Sequence, residues 1–347
     1  MRMLSWNLAG KRVFLRADLN TDLKSTLFTK SLKFQRLLPT LYYLKERGAR
    51  LTLATHVGKP GSYNPNYSTE QLTDFFIQAG FFCIWSNLEN LKKALLHDVD
   101  VILLENLRFY PQEEWHSIEF AKKISHDAHF FIEDGFGVLA RKETSIITTA
   151  QLFDVEYRSI GFAVNDELAH LVSIKDHATK PYMVIVGGGK GREKLEHLYN
   201  FFGKVTHIAL CPGLSELPEA EGFMRDAQQA GIDVLKPTDY LMHKDKKISI
   251  GPLTFAAWKP VITRMSTIVY NGLMGMLEES ETTQYTQKLF ELFTQVQAKV
   301  IIAGGETSLA AKLWRIESKN IYLSTGGGST LLYLSGQLLP GLEIIEN

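Results

Sequence analysis

Short apolar runs rich in Val, Ile and Leu, each followed by a turn and then by helical spacing, recur from residue 11 to residue 323. This alternation restricts the fold: neighbouring parallel strands need a long crossover, usually a helix that covers the sheet face. The spacing predicts strands at 11–19, 50–54, 100–104 and 130–132, with helices at 29–48, 69–79 and 117–127. Leu32, Leu37, Leu41 and Leu44 are the expected apolar stripe of the first helix, and Gly48 its stop. A linking helix is expected at 167–175. A second α/β region then begins near residue 180, with strands at 182–186, 206–210, 232–235, 267–270, 299–303 and 320–323.

In a parallel sheet all strands end at one edge, where ligand-binding groups gather. In the first half the residues at those ends are Asp18 and Asn20, His56 and Lys59, Arg108, and Arg141. Each alone reads as a solvated loop charge. Four such exits carrying cations or a histidine point instead to a small phosphorylated or carboxylated ligand. The second half has glycine turns in the same places: residues 187–190 (GGGK), 304–307 (GGET) and 324–329 (STGGGS). The first of these enters a helix, whose free N–H groups attract anions, and glycines let a phosphate approach the backbone. It is not a P-loop, because Gly191 follows Lys190, and Arg192 breaks a GxGxxG pattern. Taken alone, the turn is as well explained by close packing as by phosphate binding. The contrast between the halves suits two ligands, a small anion and a nucleotide, meeting across a cleft.

Composition sets the outer bounds. A length of 347 residues suggests two domains, and 45% hydrophobic residues can fill two cores. The 38 basic and 38 acidic residues balance, which argues against nucleic acid or an anionic membrane as partner. Cys83 and Cys211 form neither a metal pattern nor a disulfide framework, so a reducing cytoplasm is expected. Residues 1–13 are too broken for a signal peptide, and no apolar run approaches a membrane span.

Eight motifs in order resemble those of phosphoglycerate kinase. Residues 16–20 (RADLN) resemble RxDFN, 56–60 (HVGKP) resemble HLGRP, and 103–109 (LLENLRF) are nearly unaltered. Residues 134–141 (DGFGVLAR) are similar to DAFGTAHR, and 186–194 to the GGAKVxDK nucleotide loop. Residues 271–278 (NGLMGMLE) resemble NGPxGxFE, 304–307 resemble GGDT, and 324–329 resemble STGGGA.

The resemblance implies an α/β fold of two Rossmann-like lobes, with parallel sheets covered by helices and a hinge helix between them. It places a glycerate-binding lobe at 1–157, the linking helix at 158–178, a nucleotide-binding lobe at 179–325 and a returning C-terminal segment at 326–347. It implies reversible phosphoryl transfer between 1,3-bisphosphoglycerate and ADP, giving 3-phosphoglycerate and ATP, by a cytoplasmic monomer. Arg16, Asp18, Asn20, His56, Lys59, Arg108 and Arg141 would hold the glycerate. Gly188, Gly189, Lys194, Asn271, Gly275, Glu278, Glu306 and Thr307 would hold the nucleotide, with Mg²⁺ at Glu306. Lys190 would neutralise the transferring group, Gly327 and Gly328 would offer backbone N–H groups, and Lys33 and Arg36 would complete the catalytic set. A relative that has lost transfer, or a phosphotransferase for another small carboxylate, is the alternative.

Several positions depart from the family pattern. Lys33 stands where the family has its key arginine and loses the planar fork, with Arg36 one turn away on the same helix face. Lys59 replaces the arginine of HLGRP. Ala140 and Glu143 replace two histidines, Glu133 an asparagine, Glu306 an aspartate and Leu273 a proline. Residues 208–216 (IALCPGLSE) lack the glycine cluster GGGMAFTFL that walls the family's adenine site.

Overall fold

A computed structural model of the chain describes residues 1–21, 28–189 and 191–347. It divides into two compact units, Met1–Leu168 with Leu338–Asn347, and Ala169–Gln337. The division falls inside the helix Phe162–His177.

The first unit holds a parallel sheet of β1 (Arg12–Ala17), β2 (Arg50–Ala54), β3 (Cys83–Ser86), β4 (Val101–Leu104), β5 (Phe130–Asp134) and β6 (Arg158–Ile160). Their order is β3-β4-β2-β1-β5-β6. The second unit holds β7 (Tyr182–Val186), β8 (His207–Leu210) and β9 (Asp233–Leu235), then the antiparallel hairpin β10 (Tyr240–His243) and β11 (Lys246–Ile250). After it come β12 (Thr267–Asn271), β13 (Lys299–Ala303) and β14 (Ile321–Ser324). The six parallel strands are ordered β14-β13-β12-β7-β8-β9. This is the predicted α/β class.

Both faces of each sheet are covered, which is why the strands read as unbroken apolar runs. Val13, Leu15 and Ala17 of β1 pack with Phe34, Leu37 and Leu41 on one face, and Phe14 packs with Ile102, Phe120 and Phe131 on the other. In the second unit Met183 and Ile185 of β7 meet Trp258, Phe290 and Phe293. The helix Leu32–Glu46 starts at Ser31, whose Oγ accepts the Phe34 N–H at 3.3 Å. Phe34 rather than Leu32 is the first buried member of its stripe. The chain stops after it at Gly48, whose φ of +71° suits glycine.

Each sheet reverses its winding beside its first strand. In the first unit β2 and β5 flank β1, and in the second β12 and β8 flank β7. Ligand crevices form at such reversals, beyond the carboxyl ends of the strands. Asp18, His56 and Arg141 follow strands at the first reversal and residues 187–189 a strand at the second, whereas Arg108 follows β4 and the turns 304–307 and 324–329 follow β13 and β14.

Candidate functional site: a guanidinium cluster and a glycine-walled pocket

In the first unit, Arg16 near the end of β1 is fully buried. Its Nε donates to Ser145 Oγ at 2.7 Å and one terminal nitrogen donates to the Ala17 carbonyl at 2.5 Å. Its other terminal nitrogen lies 3.1 Å from His56 Nδ1 and 3.5 Å from a Glu143 oxygen. Arg108 donates to the Gly58 carbonyl at 2.6 Å and to Glu143 at 2.8 Å. Arg141 lies 3.1 Å from His56 Nε2 and 3.2 Å from Glu143. Three guanidinium groups from three strand exits thus surround one histidine and one carboxylate. Burial, then the charges of Arg16, Arg108 and Arg141, hold His56 well below the usual imidazole range, so the ring is neutral at physiological pH. Burial would raise Glu143, but Arg16, Arg141 and Arg108 outweigh it and keep the carboxyl below its ordinary value.

The loops are fixed by Asn106. Its side chain accepts from Val57 and Arg108 N–H groups and donates to the Val57 and Tyr67 carbonyls. Asn20 Oδ1 accepts the Gly58 N–H at 2.8 Å, joining the exits of β1 and β2. Lys33 Nζ is 2.8 Å from Asp18 and donates to the Asn20 carbonyl at 3.1 Å. Arg36 instead pairs with Glu167 at 2.7 Å and approaches Asp166 at 3.9 Å. Lys59 is exposed. The structure therefore brings Arg16, His56, Arg108 and Arg141 into contact, ties Lys33, Asp18 and Asn20 beside one another, and turns Arg36 to the helix Phe162–His177.

Three buried acids lie behind the cluster. Desolvation pushes Glu113 up to about 7, Glu133 to about 8 and Asp134 to about 7. Glu113 accepts from Ser145 Oγ and Ser145 N–H, and Ser145 in turn accepts from Arg16.

In the second unit, a pocket of about 580 Å³ opens at the ends of β7, β12, β13 and β14. Its walls include all three glycine turns through Gly188 and Gly189, Gly304 and Gly305, and Gly327 and Gly328. Lys194, Asn271, Gly275, Glu306 and Thr307 also line it. Lys194 Nζ donates to the Gly187 carbonyl at 2.5 Å, and Asn271 Nδ2 to the Gly327 carbonyl at 3.1 Å. Gly272, at φ +93°, passes so close to Gly187 that a side chain there would strike the Gly187 carbonyl and the Lys194 ammonium. Partial desolvation, then Glu278, raises Glu306, and Lys194 opposes the shift. Glu278 itself is exposed on the turn after Gly275. Lys190 lies outside the described residues.

The family model of phosphoglycerate kinase matches residues 3–217 and 214–337. The chain belongs to the phosphoglycerate kinase family. It is 29% identical to the phosphoglycerate kinase of Borreliella afzelii, over 98% of this chain and 97% of that one. It is 28% identical to that of Dictyoglomus turgidum, over 98% and 97%. The phosphoglycerate kinase structure from Pyrococcus horikoshii superposes with a TM-score of 0.80 at 23% identity, covering 100% of this chain and 98% of that one. That from Coxiella burnetii gives 0.74 at 24%, covering 99% and 98%.

Some residues that build the guanidinium cluster of this phosphoglycerate kinase family member escape a reading by motif. Ser145 and Glu113 act through Arg16, and a serine or glutamate in a loop carries no signal of its own. Glu143 shows as a departure, but its grip on three arginines needs coordinates. Lys247 of β11 lines the pocket with Ile248, from a hairpin the sequence does not announce. The one available hint was Gly272 directly after Asn271, since a glycine at a strand exit often marks close approach.

Proposed function

We propose that this chain is a working phosphoglycerate kinase in which the guanidinium cluster takes the glycerate and the glycine-walled pocket takes the nucleotide. The reaction passes a phosphoryl group between the 1-carboxylate of 3-phosphoglycerate and ADP. The observation that carries the reading is the convergence of Arg16, Arg108 and Arg141 at the winding reversal of the first sheet. Guanidiniums bind carboxylate and phosphate oxygens in forked pairs, which fixes orientation as well as charge. The acceptor carboxylate is already ionised, so the reaction needs no general base, and neutral His56 serves to orient. What remains is alignment, charge neutralisation and exclusion of water.

In the second unit Gly188, Gly189, Gly327 and Gly328 offer backbone to phosphate oxygens. Lys194, Asn271, Gly275 and Thr307 shape the cavity, and Glu278 flanks it. Lys190, by its place in the sequence, supplies the cation for the transferring group, and Lys33 lends a further charge. Arg36 is anchored to the helix Phe162–His177, inside which the division between the units falls. Among the described residues no group of three or more His, Cys, Asp or Glu side chains is placed to hold a metal. This suits Mg²⁺, which takes one or two carboxylates and leaves its other positions to phosphates and water. Glu306, on the pocket wall, would hold it. When bound, the ion neutralises phosphate charge during transfer. Both ligand sites are built from this chain's own residues, which supports a monomer. Both cysteines are free and buried, and no helix among the described residues is long and apolar enough to cross a membrane, in keeping with the cytoplasm.

A coupled assay with 3-phosphoglycerate, ATP and Mg²⁺ tests the reading. Steady turnover that disappears in Lys190→Ala and in Arg16→Ala is expected. ATP binding by calorimetry without turnover would leave a relative that has lost transfer. Turnover with another small carboxylate would leave a different phosphotransferase.

A further inference from the structure

The guanidinium cluster carries its own anion. Glu143 Oε1 accepts from Arg108 at 2.8 Å and from Arg141 at 3.2 Å, and Oε2 lies 3.5 Å from Arg16. A bound carboxylate or phosphate would make the same set of contacts. The three arginines differ in what else holds them. Arg16 is fully buried and locked by Ser145 and the Ala17 carbonyl. Arg108 keeps one bond to the Gly58 carbonyl, while its Nε is buried and among the described residues has no partner. Arg141 is the most exposed, with a side chain 30% accessible.

His56 adds to the imbalance. A guanidinium only donates, and a neutral imidazole has one acceptor nitrogen. Yet guanidinium nitrogens face both ring nitrogens, Arg16 at Nδ1 and Arg141 at Nε2, each at 3.1 Å. One of these contacts therefore sets donor against donor. Arg16 is also held by Ser145 and the Ala17 carbonyl, and more weakly by Glu143. Arg141, in contrast, depends on Glu143, and an incoming anion that draws Arg141 outward sacrifices little.

We propose that Glu143 is the resident counter-ion of the glycerate site: it occupies Arg108 and Arg141 while the site is empty, and the anionic substrate displaces it to bind. Glu143 is thus a specificity-determining residue that weakens substrate binding and eases release. It also prevents smaller anions from settling on the arginines, because they must compete with a tethered carboxylate. This inference rests on the reading of the cluster as the glycerate site.

The test is Glu143→Gln, with Glu143→His as a second variant that restores the family's residue type. Calorimetry of 3-phosphoglycerate binding at fixed ionic strength gives the Kd for each, and the coupled assay gives KM and kcat. Both variants are expected to bind 3-phosphoglycerate about tenfold more tightly, since a like charge beside the ligand is removed. KM for 3-phosphoglycerate should fall while KM for ATP stays put. Binding should also weaken more steeply with added salt than in the parent. A role in merely holding the arginines in place predicts the reverse: weaker binding and a higher KM. Unchanged or weaker binding in a folded variant, or loss of folding in both variants, overturns the proposal while the parent still binds. A parent chain that binds no 3-phosphoglycerate overturns the functional reading, and this inference with it.

Discussion

The ammonium of Lys33 lies 2.8 Å from the carboxylate of Asp18, and both side chains are almost buried, at 13% and 8% accessible. Burial alone would raise Asp18, but the Lys33 charge, its hydrogen bond and the Asn20 N–H hold the carboxyl below its ordinary 3.8. Breaking such a pair from one side leaves a buried charge uncompensated. Lys33→Met should therefore cost about 2–3 kcal/mol at pH 7, the lower end reflecting residual exposure. An acid whose folded value is depressed stabilises above its unfolded value, and that contribution is lost as pH falls through the folded one. The difference between parent and variant should shrink below pH 3.8. Urea titrations at about pH 7 and about pH 3 measure it, and an equal difference at both would refute the assignment.

Glu133 predicts the opposite pH dependence. It is fully buried, its Oε2 lacks a partner among the described residues, and its carboxyl is pushed from 4.5 up to about 8 by desolvation. A raised acid stabilises the fold below its unfolded value, and this is lost as pH rises toward the folded one. Between about pH 5 and about pH 8 the unfolded chain releases the proton that the folded chain keeps. The parent should be more stable at the acid end of that range than at the alkaline end, with Glu113 and Asp134 adding to the slope up to about 7. Glu133→Gln should flatten the slope by up to ~1.4 kcal/mol per pH unit. Thermal melts across that range would show it. A parent whose melting temperature rises toward the alkaline end would contradict the protonated state.

These two acids also show where sequence reading stops. Strand ends such as β2, β7 and β13 coincide with the expected runs, because buried strands of parallel sheets are apolar throughout and end where polar residues begin. The cations at the exits were visible for the same reason. By contrast β6 (Arg158–Ile160) is three residues with an arginine and a serine, and β10 and β11 flank the polar turn at Lys244 and Asp245, so none has an apolar signature. The predicted helix at 69–79 is split into a 3₁₀ turn, Thr69–Leu72, and the helix Thr73–Gln78. At the site, charge sign and position were legible, but pairing was not. Arg36 was legible as a neighbour of Lys33 on one helix face, yet its bond to Glu167 crosses 131 positions of sequence.

The glycines of the second unit's pocket divide by what surrounds them. Gly272 has a φ of +93° and no room for a Cβ beside the Gly187 carbonyl, whereas a methyl group at Gly189 would meet nothing within 4 Å, on a backbone of ordinary φ. Gly272→Ala should lose about 2–4 kcal/mol through strain and displaced backbone, and nucleotide binding with it. Gly189→Ala should keep its stability within about 0.5 kcal/mol and affect nucleotide affinity alone. Calorimetric melts with and without ATP separate the two. Equal loss of stability in both variants would mean that the backbone at Gly189 is as closely packed as that at Gly272.

The pocket proposed for the nucleotide should hold phosphates more strictly than bases. Three of its polar side chains are engaged: Asn271 with the Gly327 carbonyl, Lys194 with the Gly187 carbonyl, and Lys247 with Glu216 at 2.6 Å. The remaining wall away from the glycine turns is Gly213, Ile248, Gly272, Leu273, Gly275 and Met276, and these glycines and apolar side chains would contact a ring without reading its edge. Discrimination between purines needs a donor or acceptor whose loss of a partner is costly, and apolar walls supply little of it. ATP and GTP should therefore compete within about tenfold, or ~1.4 kcal/mol, of one another. Competition constants measured against a fluorescent ADP derivative give the ratio. A preference for ATP above about a hundredfold, ~2.7 kcal/mol, would mean that Lys247 or Glu216 leaves its partner to recognise the base, and that the wall formed in place of the family's glycine cluster is a selective adenine pocket.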